Sequence, residues 1–437
     1  MHIILLSGGS GKRLWPLSND VRSKQFIKLF KNDDGEYESM VQRMYKQIKA
    51  VDSDASVTIG TSKSQVSSIN NQVGIDVGIC VEPCRRDTFP AIALAASYLK
   101  DVENIGDNEP VVVCPVDPYV EEDYFAALKE LSELAQRGEG NIVLMGIEPT
   151  YPSEKYGYII PKSDNQVSPV MTFKEKPDVE TAKKYIESGA LWNGGVFAFK
   201  LGYVLKRAHE LIKFEDFYDL RDRYEEAPKI SFDYAVVEKE PVISVMRFAG
   251  QWKDLGTWNT LTEAMDESVI GEGVLDDTCE NVHVVNELGV PILCMGLKDV
   301  VVAASPEGVL VSDKGQSSYI KPYVEKIDSR VMFCDKSWGS FRILDVQDES
   351  LMIRVTLTPG HSMNYHYHRR RDEVWTVLSG KGLAIIDGTK INVGPGDVIK
   401  MPRETKHTIS AITELKLMEV QIGTDIRVDD KVKVPMP

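Results

Sequence analysis

Over the first ~265 residues the apolar positions follow two rhythms in turn. Continuous apolar runs at 2–7, 56–60, 110–115 and 141–146 read as strands buried on both faces. Between them, 91–102 and 124–137 repeat their apolar residues every three or four positions, the spacing of a helix with a buried stripe. This alternation predicts an α/β domain built on a mixed, mostly parallel sheet with helices on both faces. In such sheets ligands sit beyond the carboxyl ends of the strands, so the residues just after these runs are where chemistry is expected.

The rhythm changes near residue 270. Short β-rich runs at 292–295, 300–303 and 309–311 are separated by Gly, Asp and Pro turns, and predict a small all-β connector. From about 331 a second β-rich stretch is punctuated at Pro359-Gly360, Asp387-Gly388 and Pro395-Gly396-Asp397, the pattern of a small β-barrel or double-sheet jelly roll. The expected division is 1–268, 269–330 and 331–437.

Composition narrows the class without altering this outline. The 437 residues hold 51 Lys and Arg against 66 Asp and Glu, a net charge of −15 with no long basic run. Such a chain is not built to coat nucleic acid, although two or three local cations still suffice to bind a phosphate. No apolar run approaches the ~20 residues of a membrane span, and the N-terminus lacks the pattern of a signal peptide. The six cysteines are scattered without a C-x-x-C pair, so a reducing, cytoplasmic compartment is expected.

The first candidate chemistry follows the first strand, in Ser7-Gly8-Gly9-Ser10-Gly11-Lys12-Arg13-Leu14-Trp15-Pro16-Leu17-Ser18. Gly8, Gly9 and Gly11 allow tight turns whose N–H groups can face an anion. Arg13 adds a fork of donors, and Lys24 in Ser23-Lys24-Gln25-Phe26 offers a second cation. A Walker A loop is excluded because Arg13 follows Gly11-Lys12 where Ser or Thr is needed. The dinucleotide fingerprint is excluded because Leu14 occupies its third glycine position.

This motif resembles the signature of the sugar-1-phosphate nucleotidylyltransferases, and most nearly that of the mannose-1-phosphate guanylyltransferases. The likeness runs along almost the whole chain, with later motifs in the same order. It implies a Rossmann-like nucleotidyltransferase domain, GTP and a sugar 1-phosphate as substrates, and Mg²⁺ as cofactor. Three polyanionic groups must converge in that reaction, so their charge has to be neutralised and their geometry fixed. Asp117 ends an apolar strand, where an Asp alone is more often a turn or cap residue. The resemblance makes it one Mg²⁺ ligand and Asp254, in Trp252-Lys253-Asp254-Leu255-Gly256-Thr257-Trp258, the other. By the same resemblance, Glu175 in Phe173-Lys174-Glu175-Lys176-Pro177 accepts from sugar hydroxyls and Lys176 holds the sugar phosphate. Gly157 and Asn193 complete the implied sugar pocket, and Phe232-Asp233-Tyr234-Ala235 places a helix beside it. Glu82, Arg86 and Asp87 stand in the implied base-side motif, where Asp87 and Phe89 depart from the family's Asn and Ala.

Four of the seven histidines fall between residues 361 and 407. On a strand His366 and His368 face the same side, and the turns between Glu373 and His407 suit a hairpin that returns His407 to them. His361 breaks the spacing and is not expected to be a ligand. The set resembles the cupin metal motif of three His and one Glu, and implies a cupin β-barrel holding a second divalent metal, Zn²⁺, Fe²⁺, Mn²⁺ or Co²⁺. In similar proteins this cupin is a type II phosphomannose isomerase. Here Arg371-Asp372-Glu373-Val374-Trp375 lacks a His of the isomerase stretch, so transfer is the main reading. The alternatives are a bifunctional enzyme whose cupin also interconverts fructose 6-phosphate and mannose 6-phosphate, or a related transferase with a different sugar or base and a non-catalytic cupin. A degenerate sensor is a further alternative, opposed by the intact Arg13, Lys24, Asp117, Lys176 and Asp254. The connector is similar to the family's short β-helix, which implies a homo-oligomer, a dimer by analogy, with no nucleic-acid or membrane partner.

Overall fold

The computed structural model describes residues 1–9, 12–327 and 330–437. Gly11 of the glycine-rich loop lies outside the described residues. By its internal contacts the chain divides into two compact units: Met1–Gly9 with Gln25–Asp266, and Ser10–Lys24 with Glu267–Pro437.

The first unit is built on a nine-stranded sheet. His2–Leu6 lies near its middle, parallel to Ser56–Ser62 on one side and Pro110–Pro115 on the other. Gly78–Glu82 extends this parallel half. Beyond Pro110–Pro115 two reversed strands enter the sheet. Leu191–Lys200 is antiparallel to both its neighbours, Pro110–Pro115 and Ile142–Ile147. Ile243–Phe248 runs parallel to Ile142–Ile147, and Val167–Lys174 is antiparallel to its neighbours. Seven of the nine strands therefore run in one direction, with Leu191–Lys200 and Val167–Lys174 reversed, so the sheet is mixed and mostly parallel in strand direction; the two reversed strands are what the alternating pattern does not show. Periodicity reports which segments are strands, whereas strand direction depends on crossovers that have no local signal.

Alternate residues of the central strands enter opposite cores. Ile3, Leu5, Val112 and Cys114 face one side, and Ile4, Val111 and Val113 the other. Burial on both faces explains their continuous apolar runs. The Glu122–Arg137 helix packs on the first face through Tyr124, Phe125, Leu128, Leu131 and Leu134. Acidic Glu122 and Asp123 open it, and Gly138 ends it at φ +78°, a left-handed cap that glycine adopts without strain. The Thr88–Asp101 helix covers the other face and is buried almost all round. A Leu94→Ala cavity there would cost ~2–5 kcal/mol.

In the second unit, the connector stacks short parallel pairs. Val269–Ile270 pairs with His283–Asn286, which pairs with Val300–Ser305, and Gly273–Leu275 pairs with Ile292–Cys294. Val282, Val284, Cys294 and Val302 form its small core. The C-terminal segment folds into a six-stranded and a five-stranded sheet around Ile353, Trp375, Ala384, Ile409 and Leu417. Among the described residues this is a double-sheet arrangement, not one continuously hydrogen-bonded barrel. No helix among them is long and apolar enough to cross a membrane.

Candidate active site and metal centre

Asp117 follows the Pro110–Pro115 strand directly. The next strand, Pro118–Val120, pairs antiparallel with Trp252–Asp254, and Pro118 stands opposite Asp254. This two-stranded ribbon places Asp254 across from the immediate neighbour of Asp117, although the two are remote in sequence. Gly256 lets the following turn close over the carboxylate, since a Cβ there would lie 3.1 Å from Asp254 Oδ1. The Tyr156 hydroxyl is held well above its usual pKa, first by burial and then by the charges of Asp254, Tyr151 and Asp117. Two aspartates carried by neighbouring positions of one ribbon have the chemistry for Mg²⁺, which keeps one or two protein carboxylates and takes its remaining ligands from phosphates and water.

A second cluster forms where three strands meet. Gly157 stands opposite Asn193, and Tyr158 opposite Lys174. Glu175 follows, almost completely buried. A Cβ on Gly157 would sit 2.5 Å from Glu175 Oε2, so only glycine leaves the carboxylate its place. Lys176 adopts φ +45°, a costly conformation for a lysine, and donates from Nζ to Glu175 Oε1 at 2.5 Å. Burial works against its charge, but Glu175 and Asp233 outweigh burial and raise its pKa. The register slips between Asn193 and Phe197, where Gly195 takes φ +71°. That irregularity frees the Asn193 amide to accept from Gly195 N at 3.1 Å and to donate to Asp233 Oδ1 at 2.6 Å. Burial, then the charge of Glu175, pushes the Asp233 carboxyl up to about 6. Sequence reasoning misses Asp233 as a site residue. Its signal is the Phe232-Asp233-Tyr234 motif, which by itself reads only as placing a helix.

The base-side residues are engaged within the same unit. Burial pushes Glu82 up to about 6, and it accepts from the Tyr224 hydroxyl at 2.9 Å. Arg86 donates to the carbonyl of Glu225. Asp87 takes φ +72° and caps the Thr88–Asp101 helix through Thr88 N at 2.7 Å. Arg85, not singled out from sequence, reaches Gly9 O at 3.4 Å. Gly9 adopts φ +102°, and no atoms crowd Gly8 or Gly9. Arg13 and Lys24 belong to the segment that groups with the second unit.

In the C-terminal sheets, His366, His368, Glu373 and His407 are all buried, with one ligand atom from each lying within 4.8 Å of the others. Each His Nδ1 faces a backbone carbonyl: Asn364 O at 2.6 Å, Asp430 O at 3.4 Å and Thr405 O at 2.9 Å. A carbonyl only accepts, so the proton sits on Nδ1 and Nε2 carries the lone pair a metal would take. At His368 that lone pair accepts from Arg371 Nη2 at 3.3 Å, a bond a metal would have to displace. His407 Nε2 lies 3.2 Å from Glu373 Oε2 yet makes no hydrogen bond, as expected of two buried donors shaped to share one cation. Burial, aided by Lys431 and His407, pushes His366 down to about 2, keeping it neutral as a ligand must be. Three imidazoles and a carboxylate fit a divalent transition metal. His361 lies apart, exposed, with Nδ1 on Pro359 O at 3.0 Å.

Residues 2–269 match the nucleotidyl transferase family, and residues 353–421 match the cupin domain. More narrowly, the chain belongs to the mannose-1-phosphate guanylyltransferase family. It is 30 % identical to the mannose-1-phosphate guanylyltransferase of Escherichia coli strain K12, over 99 % of this chain and 97 % of that one. It is equally similar, at 30 %, to the xanthan biosynthesis protein XanB of Xanthomonas campestris pv. campestris strain B100, over 98 % of this chain and 97 % of XanB. Among solved structures, the mannose-1-phosphate geranyltransferase of Thermus thermophilus superposes with a TM-score of 0.62 at 27 % identity, covering 74 % of this chain and 98 % of that one.

Proposed function

We propose that this chain transfers GMP from GTP to mannose 1-phosphate, giving GDP-mannose and pyrophosphate. The observation that carries the reading is the ribbon that sets Asp254 opposite Pro118, beside Asp117. An oxygen of the sugar phosphate, already ionised, attacks the α-phosphorus of GTP. The bond from that phosphorus to the bridging oxygen breaks, and pyrophosphate leaves with the electron pair. No protein nucleophile is required. Asp117 and Asp254 would hold Mg²⁺, which supplies charge neutralisation between the phosphates. Arg13 and Lys24 neutralise the triphosphate, with the backbone at Gly8, Gly9 and Gly11 turned to its oxygens. Lys176 holds the sugar phosphate, Glu175 and Asn193 read sugar hydroxyls, and Gly157 lets the sugar approach the backbone. Glu82, Arg86 and Asp87 frame the base, Glu82 and Arg86 through the 224–225 segment they bind.

The cupin holds one divalent metal on His366, His368, Glu373 and His407. The isomerase alternative is not favoured: the relatives from E. coli and from Vibrio cholerae are named for the transferase alone. We read the domains as 1–268 transferase, 269–330 short β-helix and 331–437 cupin barrel, working as a cytoplasmic homodimer. The deciding experiment measures pyrophosphate release with Mg²⁺ over four nucleoside triphosphates and several sugar 1-phosphates. Release confined to GTP with mannose 1-phosphate supports the proposal. Release with another pair moves the specificity, and none with any pair overturns it.

A further inference from the structure

The stretch between the two halves of the loop motif, residues 19–22, carries no role that the sequence alone reveals. In the structure Asn19 and Arg22 tie it to the connector. Asn19 closes a turn on itself, with Oδ1 accepting from Val21 N and Arg22 N at 2.7 Å each. Its amide then donates to Glu307 Oε1 at 2.5 Å. Arg22 makes a two-pronged pair with Glu287, Nη1 to Oε2 and Nη2 to Oε1, both at 2.8 Å. The paired side chains are only 16 % and 22 % exposed, and the guanidinium also lies over the Phe333 ring, 5.2 Å from its centroid. Two parallel charge-assisted bonds fix direction as well as distance. Ser305 Oγ donates to Pro16 O at 2.7 Å and accepts from Glu307 N at 3.1 Å. Trp15 packs against Gly308, where a Cβ would come within 2.5 Å of its ring.

Both acidic partners are themselves braced. The Glu287 carbonyl accepts from Arg342 Nη1 at 3.0 Å, and Glu307 Oε1 also accepts from Met332 N at 3.3 Å. A segment of this length would lose much conformational entropy on closing around a triphosphate if it were free. Anchored before the nucleotide arrives, it has already met that cost.

We propose that Glu287 and Glu307 of the connector are positioning residues for nucleotide binding, which fix the segment carrying Arg13 and Lys24 through Arg22 and Asn19. This rests on the reading of Arg13 and Lys24 as triphosphate cations. The connector thus acts on the transferase reaction as well as joining two parts of the chain.

Two readouts on the full-length protein test it. In Glu287→Gln and Glu307→Ala, KM for GTP should rise about tenfold, the typical worth of one bond to a charged group, with KM for mannose 1-phosphate within about twofold. The Arg22→Ala/Glu287→Gln double variant should be no worse than its poorer single, because both remove one interaction. Amide hydrogen exchange, which needs no turnover, should show faster exchange at Val21 and Arg22 in the variants, with the His2–Leu6 strand unchanged. Unchanged exchange in both single variants would overturn the anchoring. Faster exchange with unchanged GTP kinetics, or a loss spread equally over both substrates, would overturn the positioning role. If the wild type releases no pyrophosphate from any substrate pair, the transferase reading and the positioning role fall together, while the exchange data still decide the anchoring.

Discussion

Asn193 donates to Asp233 Oδ1 at 2.6 Å from a strand position opposite Gly157, where a Cβ would meet Glu175 Oε2. Asp233 has its carboxyl pushed up to about 6 by burial and by Glu175. Between its ordinary value of 3.8 and about 6, the folded state binds more protons at this group than the unfolded state. Its contribution to stability therefore falls as pH rises through that window. Asp233→Asn removes this cost and can still accept from Asn193. Its melting temperature should exceed that of the wild type at pH 7, and the difference should vanish below about pH 4. Thermal denaturation across that range is the check.

Asp117→Asn and Asp254→Asn each leave the ribbon's backbone pairing intact and take away a charge from the proposed Mg²⁺ site. Pyrophosphate release should fall by roughly 100-fold or more in each, with little change in melting temperature. Near-wild-type turnover in both would rule out the metal assignment.

Lys176 and Gly157 probe the same pocket from opposite sides. Lys176→Ala should raise KM for mannose 1-phosphate roughly 10- to 100-fold, the worth of a charge-assisted bond to phosphate, and leave KM for GTP almost unchanged. Gly157→Ala pushes a methyl to within 2.5 Å of Glu175 Oε2 and 3.0 Å of Phe173 Cζ. It should lower kcat/KM for the sugar substrate with no effect on nucleotide affinity. Steady-state kinetics with each substrate varied in turn separates the two.

The cupin centre should bind one divalent metal per chain, measured by elemental analysis of the purified protein. Chelation should lower the melting temperature, because a ligand held only by the folded state stabilises it. His366→Ala and Glu373→Gln should abolish the metal content and the chelator's effect together. Protein that binds no metal when offered Zn²⁺, Fe²⁺, Mn²⁺ or Co²⁺ would refute the assignment of the buried Nε2 cluster as a metal centre.

Local patterns were legible where the physics is local. The runs at 110–115 and 124–137 match the Pro110–Pro115 strand and the Glu122–Arg137 helix because both elements bury a regular stripe. His366 and His368 share a side because strands alternate, and His407 is brought opposite His366 by register. The antiparallel Leu191–Lys200 strand was not legible, since its apolar positions are the same in either direction. Nor was the bond between Asn193 and Asp233, which joins a strand to a helix through a long crossover. Nor were the bonds of Asn19 and Arg22 to Glu307 and Glu287, since no local rhythm points that far along the chain.

That last feature sets an order of events during synthesis. The His2–Leu6 strand can take its place once Pro110–Pro115 has emerged from the ribosome. Asn19 and Arg22 must wait for Glu287 and Glu307. The sheet itself is complete only when Ile243–Phe248 has emerged, about 40–60 residues before Glu287 and Glu307. At about 5–20 residues per second, the whole sheet is therefore available roughly two to twelve seconds before Asn19 and Arg22 find their partners.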